Sequence, residues 1–599
     1  MLLASRLLLA LAAAATTLRA AATTQHSAGF APGWNKQAER PPMGWRHWNA
    51  FGSAIRSGLP GDGSNCSSPG RKCGSIARQI DQLTARHWDV DGHVQQVSLL
   101  DVGYARVGID EGWEDCGAGV GGRGHHDAAG NPLINTVKFP DMKKLVEYAH
   151  GKNMTMGWYL NGCACPDHEE LEINYVGDMN VMHALGFDEA KFDGCGALRN
   201  SSKYAALMRT TWGDEPLPAV ENCHWGAGGS IGCRGTDDDA CPTDDWCPWN
   251  WFRVGGDQDS APDSWFDDLQ NVVQFNVGST PLSRPQCWAY PDMMEVGSIL
   301  RPDHTLDVEW NRAHFGAWCI VSSPLILGMD MDDPNLARVI PFITNSEAIA
   351  VNQQYAGSPG VLLQSNHAAA ITSTSIAPLS LEDPPPAPHT PKDELGFVTY
   401  IGMLNRPDDG GKPLRVANMS AGDAEVWCNQ TAACTCFTAE ATTTATAAAT
   451  AATTSGLASA SMSGVAPSTS EVRFENEPLL CGSNGIHVRN NDHKWRTWVK
   501  AGLAPDTAES GAQQVWGKPQ PNGSWAFVLL NSDLTRAMTA TIDLAALPLP
   551  ASRISSGGAV VVRDIWAKAN VPSLKPNAGL FTPPAVAPRD SAFYLLSPA

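Results

Sequence analysis

The chain has 599 residues, 43% of them hydrophobic, and a formal net charge of -20 at pH 7, enough apolar material for two or three domains. An acidic surface of this strength is repelled by nucleic acid and by anionic membranes, so neither is expected as a partner. Beyond the first residues no apolar run reaches the roughly 18 residues of a membrane helix, so no span is expected in the mature chain.

Residues 1–22 open with Arg6, continue through an apolar run from Leu7 to Ala15 and end on Ala20-Ala21-Ala22, the layout of a cleaved signal peptide. An Ala-rich transit peptide is the rival reading. Sixteen cysteines and Asn-x-Ser/Thr sequons at Asn65, Asn153, Asn200, Asn418, Asn429 and Asn522 favour the secretory route, with an extracellular, vacuolar or lysosomal end point.

From about residue 40 to 345, short apolar runs alternate with helix-period segments, the pattern of a parallel α/β fold. Strand ends are expected at Trp48, Asp110, Tyr159, Asp193, Cys223, Arg253, Glu295 and Ile326. Eight such strands predict a (β/α)8 TIM barrel over residues 23–345, with its chemistry at the strand C-termini. Met142, Leu145, Val146 and Ala149 predict a helix starting just after Pro140, and residues 314–321 predict another. Residues 346–599 change to Val/Thr/Leu runs at 396–401, 525–530 and 592–596, punctuated by Gly, Pro and Asn, which predict an antiparallel β-sandwich domain. Two interruptions are expected in it. Residues 384–388 form a stiff Pro-rich loop, and residues 438–470 are almost all Ala, Thr and Ser. That tract lacks the large apolar side chains needed to offset chain ordering, so disorder is expected, with a frayed helix as the alternative.

The stretch richest in chemistry is Ala190-Lys191-Phe192-Asp193-Gly194-Cys195. On a strand, Lys191, Asp193 and Cys195 share one face while Phe192 points back into packing. A carboxylate beside an ammonium stays ionised and aimed, as a nucleophile must, although an isolated Lys-x-Asp is more often a surface pair. Cys163 and Cys165 near His168, and Cys241 near Cys247, could be metal ligands. No second knuckle accompanies them, so disulfides are expected and no metal or other cofactor.

Lys191-Phe192-Asp193-Gly194-Cys195 is one of several segments that follow a single family's order. The others are Pro42-Met43-Gly44-Trp45-Arg46-His47-Trp48-Asn49, Ile109-Asp110-Glu111-Gly112-Trp113, Phe139-Pro140-Asp141-Met142-Lys143, Gly157-Trp158-Tyr159, Cys223-His224-Trp225-Gly226, Arg253 with Asp257, Pro291-Asp292-Met293 and Pro324-Leu325-Ile326-Leu327-Gly328. Over residues 40 to 360 this set resembles glycoside hydrolase family 27, which contains the α-galactosidases and α-N-acetylgalactosaminidases. The resemblance implies a barrel followed by a β-sandwich, and a retaining exo-glycosidase that hydrolyses terminal α-D-galactosyl units without metal or nucleotide. Such hydrolysis needs two carboxyl groups flanking the anomeric carbon; the family's pattern puts the nucleophile at Asp193 and the acid/base at Asp257. It implies Asp110 and Glu111 for sugar hydroxyls, Lys191 and Arg253 as cations, and Trp48 and Tyr159 as walls. Asp292 should touch substrate or Arg253, and His224-Trp225 should line the pocket. Asp259 and Asp263 are read as solvated surface acids.

The resemblance also implies that Cys163 or Cys165 bridges Cys195, and that Cys223 bridges Cys241 or Cys247. The substrates implied are galactosyl-containing oligosaccharides, glycolipids or glycoproteins, and homodimerisation is a family habit. Two departures bear on the sugar. Asp110-Glu111 stands where α-galactosidases mostly carry paired aspartates; the longer side chain crowds the sugar's C6 arm and resembles members preferring β-L-arabinopyranosides. His224 is bulky where acetamido-tolerant members are small, whereas Ala227 is small. An α-galactosidase is therefore the first expectation, a β-L-arabinopyranosidase or α-N-acetylgalactosaminidase the alternatives. A carbohydrate-binding protein that has lost turnover is the non-enzyme reading, and the presence of both Asp193 and Asp257 argues against it.

Overall fold

A computed structural model describes residues 30–366 except 67–71, 91–92, 161–164, 166–169, 195–196, 199, 224–241, 259–263, 278–279 and 302. It also describes 512–599 except 549–553 and 555–558 and, between these parts, strands at 377–378, 397–401, 415–419, 436–440, 470–475 and 495–500. The expectations for residues 1–22 and 384–388, most of 438–470, Cys163, Cys195, His224, Trp225, Ala227, Cys241, Asp259 and Asp263 lie outside the described residues.

Eight strands form the N-terminal sheet: β1 Met43–Arg46, β2 Arg106–Gly108, β3 Thr155–Leu160, β4 Glu189–Asp193, β5 Ala219–Cys223, β6 Trp251–Arg253, β7 Trp288–Tyr290 and β8 Leu325–Leu327. They run β8-β1-β2-β3-β4-β5-β6-β7 with every neighbour parallel. The seam between β7 and β8 closes through a parallel bridge from Met294 to Leu327, where the Met294 N–H donates to the Ile326 carbonyl at 2.7 Å. This is the expected (β/α)8 barrel. Helices α1 Ile76–Thr84, α2 Met142–Gly151, α3 Glu172–Leu185, α4 Ser201–Trp212, α5 Ser264–Asn276 and α6 Val308–Ile320 lie between strands, and α7 Leu336–Ile343 and α8 Ser346–Gln353 follow β8. Local chemistry starts them: the Asp141 carboxylate accepts the Lys144 N–H at 3.0 Å and the Asn200 side chain accepts the Lys203 N–H at 2.7 Å. The periodic residues Met142, Leu145, Val146 and Ala149 are all buried.

Three strand ends fall earlier than expected, β2 stopping at Gly108 rather than Asp110. Trp48 opens a helical turn, Trp48–Phe51, just past β1. Strand β7 stops at Tyr290 rather than Glu295, because Pro291 brings no N–H to the ladder and Asp292 adopts a φ of 130°.

Residues 361–365, 377–378 and 512–599 build a seven-stranded sheet around Gln513–Pro519, Trp525–Asn531 and Asp590–Pro598. Alternation along Trp525–Asn531 explains why it is buried on both faces. Trp525, Phe527 and Leu529 pack with Met538, Ile542, Phe581 and Val586, while Ala526, Val528 and Leu530 belong to the core that includes α6 residues such as Trp318. Side chains lock this sheet to the barrel helices: Arg589 pairs with Asp307 at 3.1 Å, Arg312 with Asp590 at 2.6 Å, and Asn345 donates to the Ile565 carbonyl at 2.8 Å.

A second compact unit comprises residues 259–264 and 380–511. It holds a five-stranded antiparallel sheet in the order Phe397–Ile401, Trp495–Lys500, Cys436–Glu440, Ser470–Glu475, Arg415–Met419. The Ala/Thr/Ser tract therefore joins two paired neighbours, and its first residues, 438–440, belong to a strand. No described helix is long and apolar enough to cross a membrane.

Candidate active site

Strand alternation sorts the barrel residues into two sets. On β4, Ala190 and Phe192 face the helices, Phe192 stacking on Tyr204 with ring centroids 4.3 Å apart. Glu189, Lys191 and Asp193 face the interior. The floor beneath the pocket is an ion cluster: Arg46 at the end of β1 reaches Glu189 at 2.9 Å, Glu221 at 2.6 Å and Asp110 at 3.8 Å, and Arg106 adds a second cation to Glu189 at 3.1 Å. Burial alone would lower the Arg46 pKa; Glu221, Glu189 and Asp110 more than offset it and hold the guanidinium charged. This cluster is absent from the sequence reading. The signal was available, because Glu189 sits two residues before Lys191 on the same face and a carboxylate inside a barrel requires a cation.

Above the floor, Lys191 pairs with Asp110 at 2.7 Å and stands 5.2 Å from the Tyr159 ring centroid. Burial would raise the Asp110 pKa, but Lys191 and Arg46 outweigh it and hold the carboxyl at about 2. Asp110 is fixed further by His47, whose Nδ1 accepts the Asp110 N–H at 2.9 Å and whose Nε2 lies 3.2 Å from the Glu111 carbonyl. Burial drives His47 down to about 4, keeping the ring neutral as these contacts require. Asp193 is 6% exposed. One carboxylate oxygen accepts from the Tyr159 hydroxyl at 2.8 Å, the other from the Gly194 N–H at 2.6 Å. Burial pushes its pKa up, and Lys191 and the Tyr159 hydroxyl oppose that shift.

Across the barrel mouth, Arg253 at the end of β6 contacts both Asp292, at 3.0 Å, and Asp257, at 3.2 Å. Asp292 accepts the Gln258 N–H at 2.9 Å and the Met293 N–H at 2.6 Å, while its carbonyl accepts from the Trp318 indole at 2.9 Å. Its positive φ is strained for a non-glycine residue and is held in place by these contacts. Burial pushes the Asp292 carboxyl up to about 6 against the pull of Arg253. Asp257 differs from both other aspartates: its side chain is 60% exposed. Trp48 is half-buried and packs on the inward cluster of Ala219, Trp251, Trp288, Tyr290, Met293 and Ile326. Trp48, Asp110, Glu111, Tyr159, Lys191, Asp193, Arg253, Asp257 and Asp292 all come from the C-terminal ends of β1, β2, β3, β4, β6 and β7 or the loops that follow them.

The expected cysteine pairing requires correction. Cys247 bridges Cys287, with Cα atoms 6.3 Å apart, and Cys223 is an unpaired buried thiol that accepts from Arg253 at 3.4 Å. The reason is topological. Cys223 ends β5 at the active face, whereas Cys247 and Cys287 precede β6 and β7 at the opposite face of the barrel. Cys165 is also a free thiol, which removes it from the bridge to Cys195. A further bridge, Cys66 to Cys73, was not anticipated. No group of three or more His, Cys, Asp or Glu side chains suited to a metal occurs among the described residues.

Fold and geometry together define a closed (β/α)8 barrel whose mouth gathers carboxylates, two cations and aromatic walls. Residues 40–354 match the family described as "Alpha galactosidase A", and residues 510–596 match its "C-terminal beta sandwich domain". The chain therefore belongs to the α-galactosidase A family of glycoside hydrolases. Among relatives, "Alpha-galactosidase 3" of Arabidopsis thaliana is 24% identical over 341 residues, 55% of this chain and 64% of the relative. "Alpha-N-acetylgalactosaminidase" of Homo sapiens is 25% identical over 344 residues, 54% of this chain and 72% of the relative. The chain thus matches less than two thirds of the plant relative's length. Among solved structures, α-galactosidase I from Mortierella vinacea superposes with a TM-score of 0.51 at 16% identity, covering 94% of this chain and 98% of that one, which shows the shared fold.

Proposed function

We propose that the chain is a retaining exo-glycosidase acting on terminal α-D-galactosyl residues of oligosaccharides, glycolipids or glycoproteins. The observation that carries this reading is the contrast between Asp193, buried and held by two donors, and Asp257, solvent-facing beside Arg253. A nucleophile attacks along one line and gains from immobilisation. An acid/base must hand a proton to the leaving oxygen and then take one from water, so it belongs where aglycone and water arrive. In this scheme the Asp193 carboxylate forms the glycosyl ester while Asp257 protonates the departing oxygen. Asp257 then deprotonates the water that cleaves the ester, and the anomeric configuration is retained. Asp110 and Lys191 form a charged pair at the sugar's hydroxyl edge, with Glu111 beside them and Trp48 and Tyr159 as the walls. The names of the relatives favour galactose or its N-acetylamino derivative.

The disulfides Cys66–Cys73 and Cys247–Cys287 support a secretory-pathway protein. A second reading, β-L-arabinopyranoside hydrolysis, is favoured by buried Glu111, whose extra methylene fills space beside the sugar ring relative to aspartate. One panel decides between the two. Aryl α-D-galactoside, β-L-arabinopyranoside and α-N-acetylgalactosaminide are compared by kcat/KM, and the first product anomer is read by NMR. Highest kcat/KM on the α-galactoside with retention supports the proposal; early net inversion, or no turnover of any of the three, overturns it.

A further inference from the structure

The loop following β2 is stitched down at successive points. The Trp113 indole donates to the Tyr159 carbonyl at 3.0 Å, the Gly112 N–H to Glu114 at 2.7 Å, the Asp115 N–H to Leu133 at 2.9 Å and the Gly117 N–H to Gly124 at 2.8 Å. At its outer end lies Cys116, solvent-exposed, and in contact with it is Cys165, buried in the loop that follows β3. A further contact holds Cys165 to the β2 loop: the His125 ring lies 3.2 Å from the Cys165 carbonyl, and His125 follows Gly124, whose carbonyl accepts the Gly117 N–H next to Cys116. Both cysteines are free thiols in a chain that already holds the bridges Cys66–Cys73 and Cys247–Cys287. Two adjacent thiols in a protein that forms disulfides elsewhere are a substrate for oxidation.

We propose that Cys116 and Cys165 are a thiol–disulfide exchange site, and that the bridge they form straps the loop carrying Glu111 onto Cys165, beyond the end of β3. The oxidant is a small-molecule disulfide such as glutathione disulfide. The Cys116 thiolate attacks one sulfur of that molecule and expels one glutathione thiolate. Cys165 then loses its proton to solvent and its sulfur attacks the Cys116 sulfur of the mixed disulfide, expelling the second. Two protein thiols are oxidised and one glutathione disulfide is reduced to two glutathione molecules. Exposure assigns Cys116 the first step, and contact with Cys165 lowers its thiol pKa, raising the thiolate fraction. The same contact, and after it burial, raise the Cys165 thiol, which leaves the first attack to Cys116. The contrast with Cys247–Cys287 is accessibility: both of those cysteines are fully buried, whereas a bridge at exposed Cys116 can be opened by reductant in the folded protein. Its consequence for turnover rests on the glycosidase reading above; the cross-link itself does not.

The test has two arms. Non-reducing peptide mapping of native protein equilibrated with glutathione disulfide should recover a Cys116–Cys165 linked pair, and recovery of both as alkylated thiols, or of either bound to another cysteine, overturns the proposal. In the second arm, kinetics are measured with and without mild reductant on wild type and Cys116→Ser. Reduction of wild type should raise KM roughly two- to tenfold with kcat little changed, the cost of re-ordering one substrate-facing side chain. Cys116→Ser should show that raised KM from the outset and no further response to reductant. A reductant effect of equal size in Cys116→Ser would assign it to another bridge and overturn the strap. Absence of turnover in every sample would count against the glycosidase reading while leaving the mapping result intact.

Discussion

The two sides of the barrel mouth solve the problem of buried charge differently. On the β2–β4 side each charge has a partner from another strand: Asp110 with Lys191, Asp193 with the Tyr159 hydroxyl, and Glu189 with Arg46 and Arg106 beneath. On the β6–β7 side one guanidinium serves two carboxylates, Asp292 inside and Asp257 in solvent, and the backbone between them is strained at Asp292. The first side is a fixed wall, rigid because every dipole is pre-aimed. The second is a shared charge that can be redistributed when one carboxylate changes its proton. In the mechanism proposed above, the nucleophile is placed on the first and the acid/base on the second.

The strongest way to break this contrast is to remove Asp193. Asp193→Gly should lower kcat by about 10⁴-fold or more on every substrate, since no other group is placed to form the intermediate. Added azide should then restore formation of a glycosyl azide of inverted configuration. Persistent hydrolysis with retention would move the nucleophile elsewhere. Asp257→Ala should separate substrates by leaving group. Aryl glycosides, which need little protonation, should retain slow glycosylation with deglycosylation limiting, whereas alkyl glycosides should lose about 10²- to 10⁴-fold. Equal losses on both would show that Asp257 does not act as the acid.

The fixed side was also the more legible one in the sequence. Strand periodicity placed Lys191 and Asp193 on one face with Phe192 on the other, and the barrel followed from eight such segments. The β6–β7 side was legible only as family-like residues, because its geometry lives in turns. Pro291 marks the end of β7, but nothing in Pro291-Asp292-Met293 announces that Asp292 takes a positive φ. The cysteines failed for a related reason. The family resemblance implied Cys223 with Cys241 or Cys247, but Cys223 and Cys247 lie at opposite ends of parallel strands, a distinction that only the direction of β5 and β6 supplies. Similarly, Arg46 was legible as part of a motif, while its three carboxylate partners come from three different strands or strand ends and meet only when the barrel closes.

Asp292 sharpens the comparison through pH. Its folded pKa of about 6 lies above the ordinary 3.8, so between these values the folded state holds a proton that the unfolded state has released. The stability tied to Asp292 is therefore fully present below pH 3.8 and lost as pH rises through about 6, by an amount on the order of 1–3 kcal/mol. Activity should run the opposite way, because the ionised carboxylate holds Arg253 and the Gln258 N–H, so kcat/KM should climb over the same window. Asp292→Asn should erase the difference in melting temperature between pH 4 and pH 6 attributable to this group and lower kcat/KM at pH 6 and above. A variant with the wild-type pH slope in both measurements would show that the shared guanidinium is not coupled to this titration.

The smallest expected effect concerns the boundary of the fixed wall. The backbone at Glu111 is held on both sides of its side chain: its N–H donates to Asp110 Oδ1 at 2.9 Å and its carbonyl lies 3.2 Å from His47 Nε2. Shortening the side chain in Glu111→Asp therefore leaves these main-chain contacts in place and changes the space beside the sugar. If that space excludes the hydroxymethyl arm that distinguishes galactose from arabinopyranose, the ratio of kcat/KM for α-galactoside over β-L-arabinopyranoside should rise by a factor worth about 1–3 kcal/mol, the value of one methylene in a pocket. The melting temperature should barely move, which separates a change of pocket shape from a loosened loop. A ratio unchanged from wild type would remove Glu111 from specificity and leave the sugar to be chosen by the Lys191–Asp110 edge alone.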